Sequence, residues 1–494
     1  MKNIIKDYFG KLILGITLIY FLVIFKFILT SDLLQLSQNP KINRILNLLI
    51  IIFLGGIGFG GMYLFKRFLN LRIMDKQFIR ILIIVLITLI PRLIWISLVD
   101  ITPKSDFGLY NTLAEAYSRG ESAGGKYVAL FPHTFGYPYI LGIVYRLLSP
   151  NKLWALILNI LFEIGTGLLI YKIGSMISNW KAGFTAAVIW GLWISHIFYS
   201  SVVSTEQLYT FLMVLLIYIY FKISSKNLNL LHSCGLYFLV GILCAFTNAI
   251  RPLALILIIA MGLIEVMKVI NKEKGLKQAA IPIVSLIIAY FVCFNIIGMF
   301  ISHKVGYTTA KNPIGFNMYV GSNINFSGMW NQYDSDEVSE MIKQDNFDAQ
   351  EVHNKLIKMA IQRIKNHGFG YLRFALRKNE VLWGRDDEIV TYMLAGTNTE
   401  DASLVLDINR YQVSLRRVCN YFFYIIAILA FLGLISQFKA KESQILTFLM
   451  LLFLGIGAVH TIVEVHGRYH YSAIVVLCVL AGLVFERGKV FKKV

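Results

Sequence analysis

The chain has 494 residues, 57% hydrophobic and 15% charged, with a mean hydropathy of +0.65 and a formal net charge of +19. A soluble domain is nearer half apolar and a quarter charged, so a large soluble enzyme is excluded and an all-α polytopic membrane protein is expected. The basic excess is read as topogenic Lys and Arg; nucleic-acid binding needs a basic, aromatic-studded soluble module, and none is visible.

A spanning helix needs about 20 apolar residues. On that criterion the expected fold has about twelve transmembrane helices, near 12–30, 46–65, 80–99, 153–171, 182–200, 206–222, 233–249, 252–268, 280–300, 418–437, 444–462 and 470–485. The first follows Lys2, Lys6 and Lys11; it is too long for a signal h-region and is read as retained. The second contains GGIGFGG, in which Gly56 and Gly60 have the spacing that lets helices approach closely.

After the third span comes the first long polar stretch, 100–152. From Asp106 the residues Phe107, Tyr110, Ala114 and Tyr117 recur at helical spacing, which predicts a helix lying on the bilayer with one face down and Asp106 at its N-terminus. A second short helix is expected from Pro138, a good first helical residue, to about Leu148. Gly124, Gly125 and Gly136 loosen the turn between the two helices. Spans seven and eight abut at Arg251-Pro252, read as a tight turn with a break in one helix as the alternative.

Region 301–417 is the one sizeable extramembrane segment, with as many basic as acidic residues. Asp334, Asp336, Glu337 and Glu340 open a helical stretch, acids first, as the helix dipole prefers. Residues 350–366 put Val352, Leu356, Ala360 and Ile364 on one face of a second helix. GFGYLRFALRKNEVLWG then reads as an interfacial helix, with Arg373, Arg377 and Lys378 beside Phe374 and Trp383. This is a small, mostly helical cap. The five cysteines have no CxxC spacing and read as small apolar residues.

With twelve spans, the basic loops at 66–80, 172–181, 222–226, 268–277, 439–441 and 487–493 all fall on one side; Lys41 and Arg44 are the minor exception. By the positive-inside rule both ends of the chain are cytoplasmic, and 100–152 and 301–417 face outward together. No nucleotide-loop, zinc-protease or serine-hydrolase motif is present. What remains is a set of polar residues expected at the outer face: Arg92, Asp100, Asp106, His133, Glu206, Arg251 and, in EVHGRYH, Glu464, His466, Arg468 and His470. Charges there are costly unless paired, hydrated or used. Competing readings are a helix N-cap for Asp106, an interfacial anchor for Arg468, a cap of the sixth span for Glu206, and local hydrogen bonding for His133 and His466.

The order PRLIW, SDFGLYNTLAEAYSRG, FPHTFGYPYILGIVYRL resembles the opening of C-type superfamily membrane glycosyltransferases, nearest to bacterial relatives of protein O-mannosyltransferases and the lipid A aminoarabinose transferase. In that family an acidic residue of the first outer loop is followed by Tyr and by a Gly-Tyr-Pro-like segment, here Asp106, Tyr110 and Gly136-Tyr137-Pro138. AIRPLALIL, FNMYVGSNINFSGMWN, VLWG and GRYHYSAIVVLCVLAG follow as landmarks in the same order. The resemblance covers about 80–485. It makes 1–78 an N-terminal two-helix addition, 79–300 a core containing the loop 100–152, 301–417 an extracytoplasmic cap, and 418–494 the last spans with a basic tail. Many relatives have Asp-Glu where this chain has Asp106-Phe107, which leaves a divalent metal an open question.

The resemblance implies inverting transfer of a sugar from a polyprenyl-phosphate donor to a cell-envelope acceptor, a glycan, lipid or protein, at the outer face of the cytoplasmic membrane. Asp106 is then the catalytic base. Arg251, Lys311, Arg373 and Arg468 are the candidate cations for the leaving phosphate, and Tyr110, His133 and Glu206 are further substrate-binding candidates. No nucleotide donor is expected. The alternative is a lipid-linked saccharide transporter, for which inverted-repeat symmetry is the expected sign and is not seen. A non-catalytic assembly partner, in which Asp106 is dispensable, is the third reading.

Overall fold

A computed structural model describes residues 8–30, 40–226, 228–397, 408–440 and 443–486. The basic residues Lys2, Lys6, Lys441, Arg487, Lys489, Lys492 and Lys493 lie outside the described residues. Among the described residues there are α-helices and short 3-10 turns and no strand. Eight helices are long and apolar enough to cross a membrane: Tyr8–Thr30, Ile45–Leu69, Gln77–Leu98, Lys152–Ile177, Glu206–Ser224, Leu230–Ile250, Leu276–Val305 and Ile408–Ser436. The architecture is that of an all-α membrane protein.

The other four expected spans have a different form. The stretch 182–200 is two helices, Trp180–Gly191 and Ile194–Tyr199, and 252–268 is the 17-residue helix Ala254–Ile270. Gln444–Val459 has 16 residues, and 470–485 is a 3-10 turn, the nine-residue helix Ile474–Gly482 and a second turn. All of Ala182–Gly191 and all of Ile474–Gly482 are buried. A helix that is apolar all round marks a protein interior as readily as lipid, so these elements need not match the bilayer thickness.

Two local expectations are corrected. Gly56 and Gly60 have open space where a Cβ would be; the glycines that approach a neighbour are Gly55 and Gly58, toward Ile428 and Ile425 of the helix Ile408–Ser436. The second loop helix runs His133–Leu147, so Pro138 lies inside it. Phe135 and Tyr137 are buried, Phe135 against Tyr117 with ring centroids 5.1 Å apart, and this packing carries the helix upstream of the proline.

The helix Ser105–Ser118 forms as expected, with Phe107, Tyr110, Ala114 and Tyr117 buried. Its apolar face meets protein rather than lipid: Tyr110 packs edge-on to Tyr137 at 6.2 Å, and Phe107 to Tyr392 at 5.1 Å. Helical spacing specifies an apolar neighbour without saying which kind. The expected cap helices also form, as Gln332–Lys343, Ala349–His367 and Gly370–Trp383, followed by Glu388–Gly396. Arg363 ties the first two together through Asp334 at 2.8 Å.

Candidate active site

The site starts from a strained residue. Ser105 has φ 52°, a left-handed conformation that is uncommon for a residue other than Gly, and it turns the chain into the helix Ser105–Ser118. Asp106 follows in the first turn. The N-cap position belongs to Lys104, which makes no side-chain cap. The Asp106 carboxylate instead forms an ion pair with Arg468 Nη2 at 2.5 Å, so its use in the fold is tertiary, not capping. Burial pushes its pKa up, but the charge and hydrogen bond of Arg468 outweigh that, with Arg251 adding to them, and hold it below the usual carboxylate range. The carboxylate is therefore ionised at neutral pH. Its side chain remains 37% exposed.

Arg468 comes from the segment 464–473, which meets separate parts of the chain at nearly every residue. Glu388 Oε2 accepts from the Arg468 amide at 2.7 Å, and Oε1 accepts from His466 Nδ1 at 2.9 Å and from the Tyr392 hydroxyl at 3.2 Å. Glu464 Oε1 lies 3.2 Å from His466 Nε2 and accepts from Tyr469 at 3.2 Å. Gly467 is required here, because a Cβ would stand 2.8 Å from Glu388 Oε2. Burial opposes a charged His466 ring, but its hydrogen bonds to Glu388 and Glu464 prevail and push it up to about 9. The Trp330 amide also points at Nε2, at 3.3 Å; a protonated ring cannot accept from it, and the two carboxylates decide the ring's state. The guanidinium of Arg468 is framed by Tyr392 and Tyr469, 5.2 and 5.5 Å from the ring centroids. Burial holds the Glu388 carboxyl up, but His466 and then Arg468 bring it down to about 2.

A second ion pair stands beside the first. Arg251, at the turn between two apolar helices, meets Glu206 at 2.9 Å. Glu206 is the first residue of its helix and is buried; its carboxylate serves this pair. Tyr469 lies between the arginines, with Arg251 5.7 Å from its ring. Tyr110 is buried nearby, and burial together with the Asp106 charge pushes its phenol well up, so it stays a hydrogen-bond donor.

Alongside Arg251 opens a cavity of about 310 Å³, lined by His133, Pro252, Phe294, Ile297, Thr309 and Lys311 among others. Burial, then the Arg251 charge, pushes His133 down to about 4, so its ring is neutral, and its buried Nδ1 has no hydrogen-bond partner. Tyr137 Oη, Tyr199 Oη and Arg468 Nε are also buried without one. Tyr199 and Arg468 border a second, water-sized cavity of about 10 Å³ with Asp386 and Glu388. Buried polar groups are normally paired; several orphans around two ion pairs mark a place where a polar ligand or water completes the bonding.

The structure thus brings together Asp106, Tyr110, Glu206, Arg251 and Arg468, with His133 and Lys311 at the adjoining cavity. Arg373 is not among them: it is exposed on its helix and makes no hydrogen bond or ion pair among the described residues. Arg92 is buried against Glu163 at 2.7 Å, and Asp100 is exposed and pairs with Lys152. His470 bonds Asp386 at 2.9 Å, a carboxylate that also accepts from Trp193 and Ser195 at 2.8 Å each. Asp386, Glu388, Tyr392 and Tyr469 were not singled out from the sequence; the acidic run Asp386-Asp387-Glu388, one residue after VLWG, was the available signal. Among the described residues no group of three His, Cys, Asp or Glu is placed to hold a metal ion. No known protein family matches the chain, and no curated protein does.

Proposed function

We propose that the protein is a membrane glycosyltransferase that moves a sugar from a polyprenyl-phosphate donor to an acceptor hydroxyl, with inversion, at the outer face of the cytoplasmic membrane. The observation that carries this reading is the Asp106–Arg468 pair standing next to Arg251–Glu206 beside a mostly apolar cavity with Lys311 on its wall. In this reading twelve segments cross the membrane, with 100–152 and 301–417 outside.

The chemistry follows from the pairs. An anionic donor phosphate competes with Asp106 for Arg468, whose planar fork suits two phosphate oxygens. Losing its cation, Asp106 rises in basicity and is free to accept a proton. The acceptor oxygen attacks the anomeric carbon, the bond from that carbon to the phosphate oxygen breaks, and the acceptor proton passes to Asp106. Arg468, Arg251 and Lys311 take the charge that develops on the leaving phosphate. Apolar lining such as Phe294 and Ile297 suits the first isoprene units, and the neutral His133 ring offers a hydrogen bond to a sugar hydroxyl.

The test is turnover of a polyprenyl-phosphate sugar by purified protein in lipid nanodiscs, read as release of polyprenyl phosphate. Release that disappears in Asp106→Asn supports the reading. Reconstituted vesicles that carry the intact lipid-linked sugar across the bilayer without cleaving it would favour the transporter reading and remove this one.

A further inference from the structure

Arg373 left the phosphate site but stands in a distinctive place. The helix Gly370–Trp383 buries Phe374, Ala375, Lys378, Asn379, Leu382 and Trp383. Its opposite face, continued by the preceding residue, carries Phe369, Leu372, Arg373, Leu376 and Arg377, all exposed. Phe369 is 98% exposed, Leu372 65% and Leu376 57%. Large apolar side chains open to water are costly to leave uncovered, and three on one helix face interleaved with two arginines need an occupant.

The depth of this helix can be read from its neighbour. Tyr8–Thr30 has 23 residues, about 35 Å at 1.5 Å per residue, so it just crosses a bilayer and Thr30 lies at one membrane face. Thr30 Oγ1 donates to Glu380 at 3.3 Å. Ten residues further in along the span, about 15 Å, Tyr20 donates to Asn379 at 2.5 Å and accepts from Trp383 at 2.7 Å. The C-terminal half of Gly370–Trp383 therefore rests against the outer half of a span, and its other half runs toward the headgroups. Ile19, Leu22 and Val23 of the span, close to Tyr20 in sequence, are exposed as well. Glu380 is the one acid on that side of the helix and is held by Thr30; Lys365 and His367, exposed at the end of the preceding helix, extend the basic character.

We propose that Phe369, Leu372 and Leu376 enter the acyl layer while Arg373 and Arg377 bind the phosphates of anionic lipid headgroups. Apolar side chains below and basic ones above are the pattern by which a helix lies in an interface, and long arginines reach from a buried stem to the phosphate level. The same helix fixes the segment behind the candidate active site: Lys378 donates to the carbonyls of Gly321 at 2.8 Å and Val463 at 2.5 Å, and the Leu382 carbonyl meets His470 Nδ1. A lipid seat on one face of the helix thus steadies the residues on the other. The inference concerns lipid binding and stands whether or not sugar transfer is the protein's reaction.

The experiment places a bimane label at Phe369→Cys, in a chain whose five native cysteines are replaced, in nanodiscs. Quenching by lipids carrying a nitroxide near the headgroup, with protection from aqueous iodide, is the expected result. In phosphatidylglycerol discs the lipid quenching should exceed that in phosphatidylcholine discs severalfold, and Arg373→Gln with Arg377→Gln should erase the difference while leaving Tm unchanged. Iodide quenching without lipid quenching overturns the proposal, as does a lipid preference that survives in the double variant. Disulfide-linked dimers of the unlabelled Phe369→Cys protein assign the face to a second copy and also overturn it.

Discussion

Two of the charged clusters among the described residues are built differently. Around Glu265 every polar group has a partner: Oε1 accepts from Lys268 at 2.6 Å, Tyr220 at 2.9 Å, Tyr237 at 3.1 Å and Ser224 at 3.3 Å, and Oε2 pairs with Lys274 at 3.0 Å. Around Asp106 and Glu206 the carboxylates are paired, yet Arg468 Nε, Tyr199 Oη, Tyr137 Oη and His133 Nδ1 are buried without partners and a cavity adjoins them. The first cluster is complete and locks three helices together. The second is complete only in part: His133 lines the cavity of about 310 Å³, while Tyr199 and Arg468 border the water-sized one. Charge alone does not separate the two; hydrogen-bond satisfaction does.

The sharpest way to break that contrast is to neutralise one acid in each cluster. Asp106→Asn should lower sugar transfer by about a hundredfold to ten-thousandfold, the usual range for loss of a general base. Its stability cost should be no more than about 2 kcal/mol, since a partly exposed charged hydrogen bond becomes a neutral one. Asp100→Asn, whose partner Lys152 is at the surface, should stay near the parent rate. A parent-like rate in Asp106→Asn would place both clusters in the structural class. Glu265→Ala, by contrast, strands the buried Lys268 and should cost about 3–5 kcal/mol in thermal or denaturant unfolding, with the rate per folded molecule unchanged.

Smaller changes sharpen the comparison. Arg468→Lys keeps the charge but loses the planar fork, so donor affinity should fall about tenfold, near 1.4 kcal/mol, as measured by titration with polyprenyl-phosphate sugar. The smallest effect expected is on pH. His466 is raised from 6.5 to about 9 in the fold, so the stability it lends is fully present below 6.5 and is lost as pH rises through about 9. Tm should therefore drop by a few degrees between pH 8 and 10, and Glu388→Gln should flatten that slope.

Eight of the twelve expected spans were readable because apolar length is a strong one-dimensional signal. So was the grouping of Asp106, Arg251 and Arg468 near one face, because each ends or follows an apolar run. What escaped reading depends on tertiary partners. The face Phe107, Tyr110, Ala114, Tyr117 was apolar as expected, but lipid and protein interior demand the same residues, and the neighbour proved to be Tyr137 and Tyr392. Gly56 and Gly60 had the right spacing and the wrong orientation; two positions from each, Gly58 meets Ile425. Glu388 went unremarked within a net-neutral region, since nothing local to it shows that Gly467 and Arg468, some eighty residues on, close over its carboxylate.

The ion pair between Asp106 and Arg468 joins residues 362 positions apart. At about 5–20 residues per second of synthesis, about 20–70 s pass between the making of the one and the making of the other. For that interval Asp106 stands without its ion-pair partner. A nascent chain halted anywhere before its final hydrophobic segments would therefore be largely helical and lack the Asp106–Arg468 pair. Time, as well as geometry, then separates insertion of this protein from the moment its polar face is assembled.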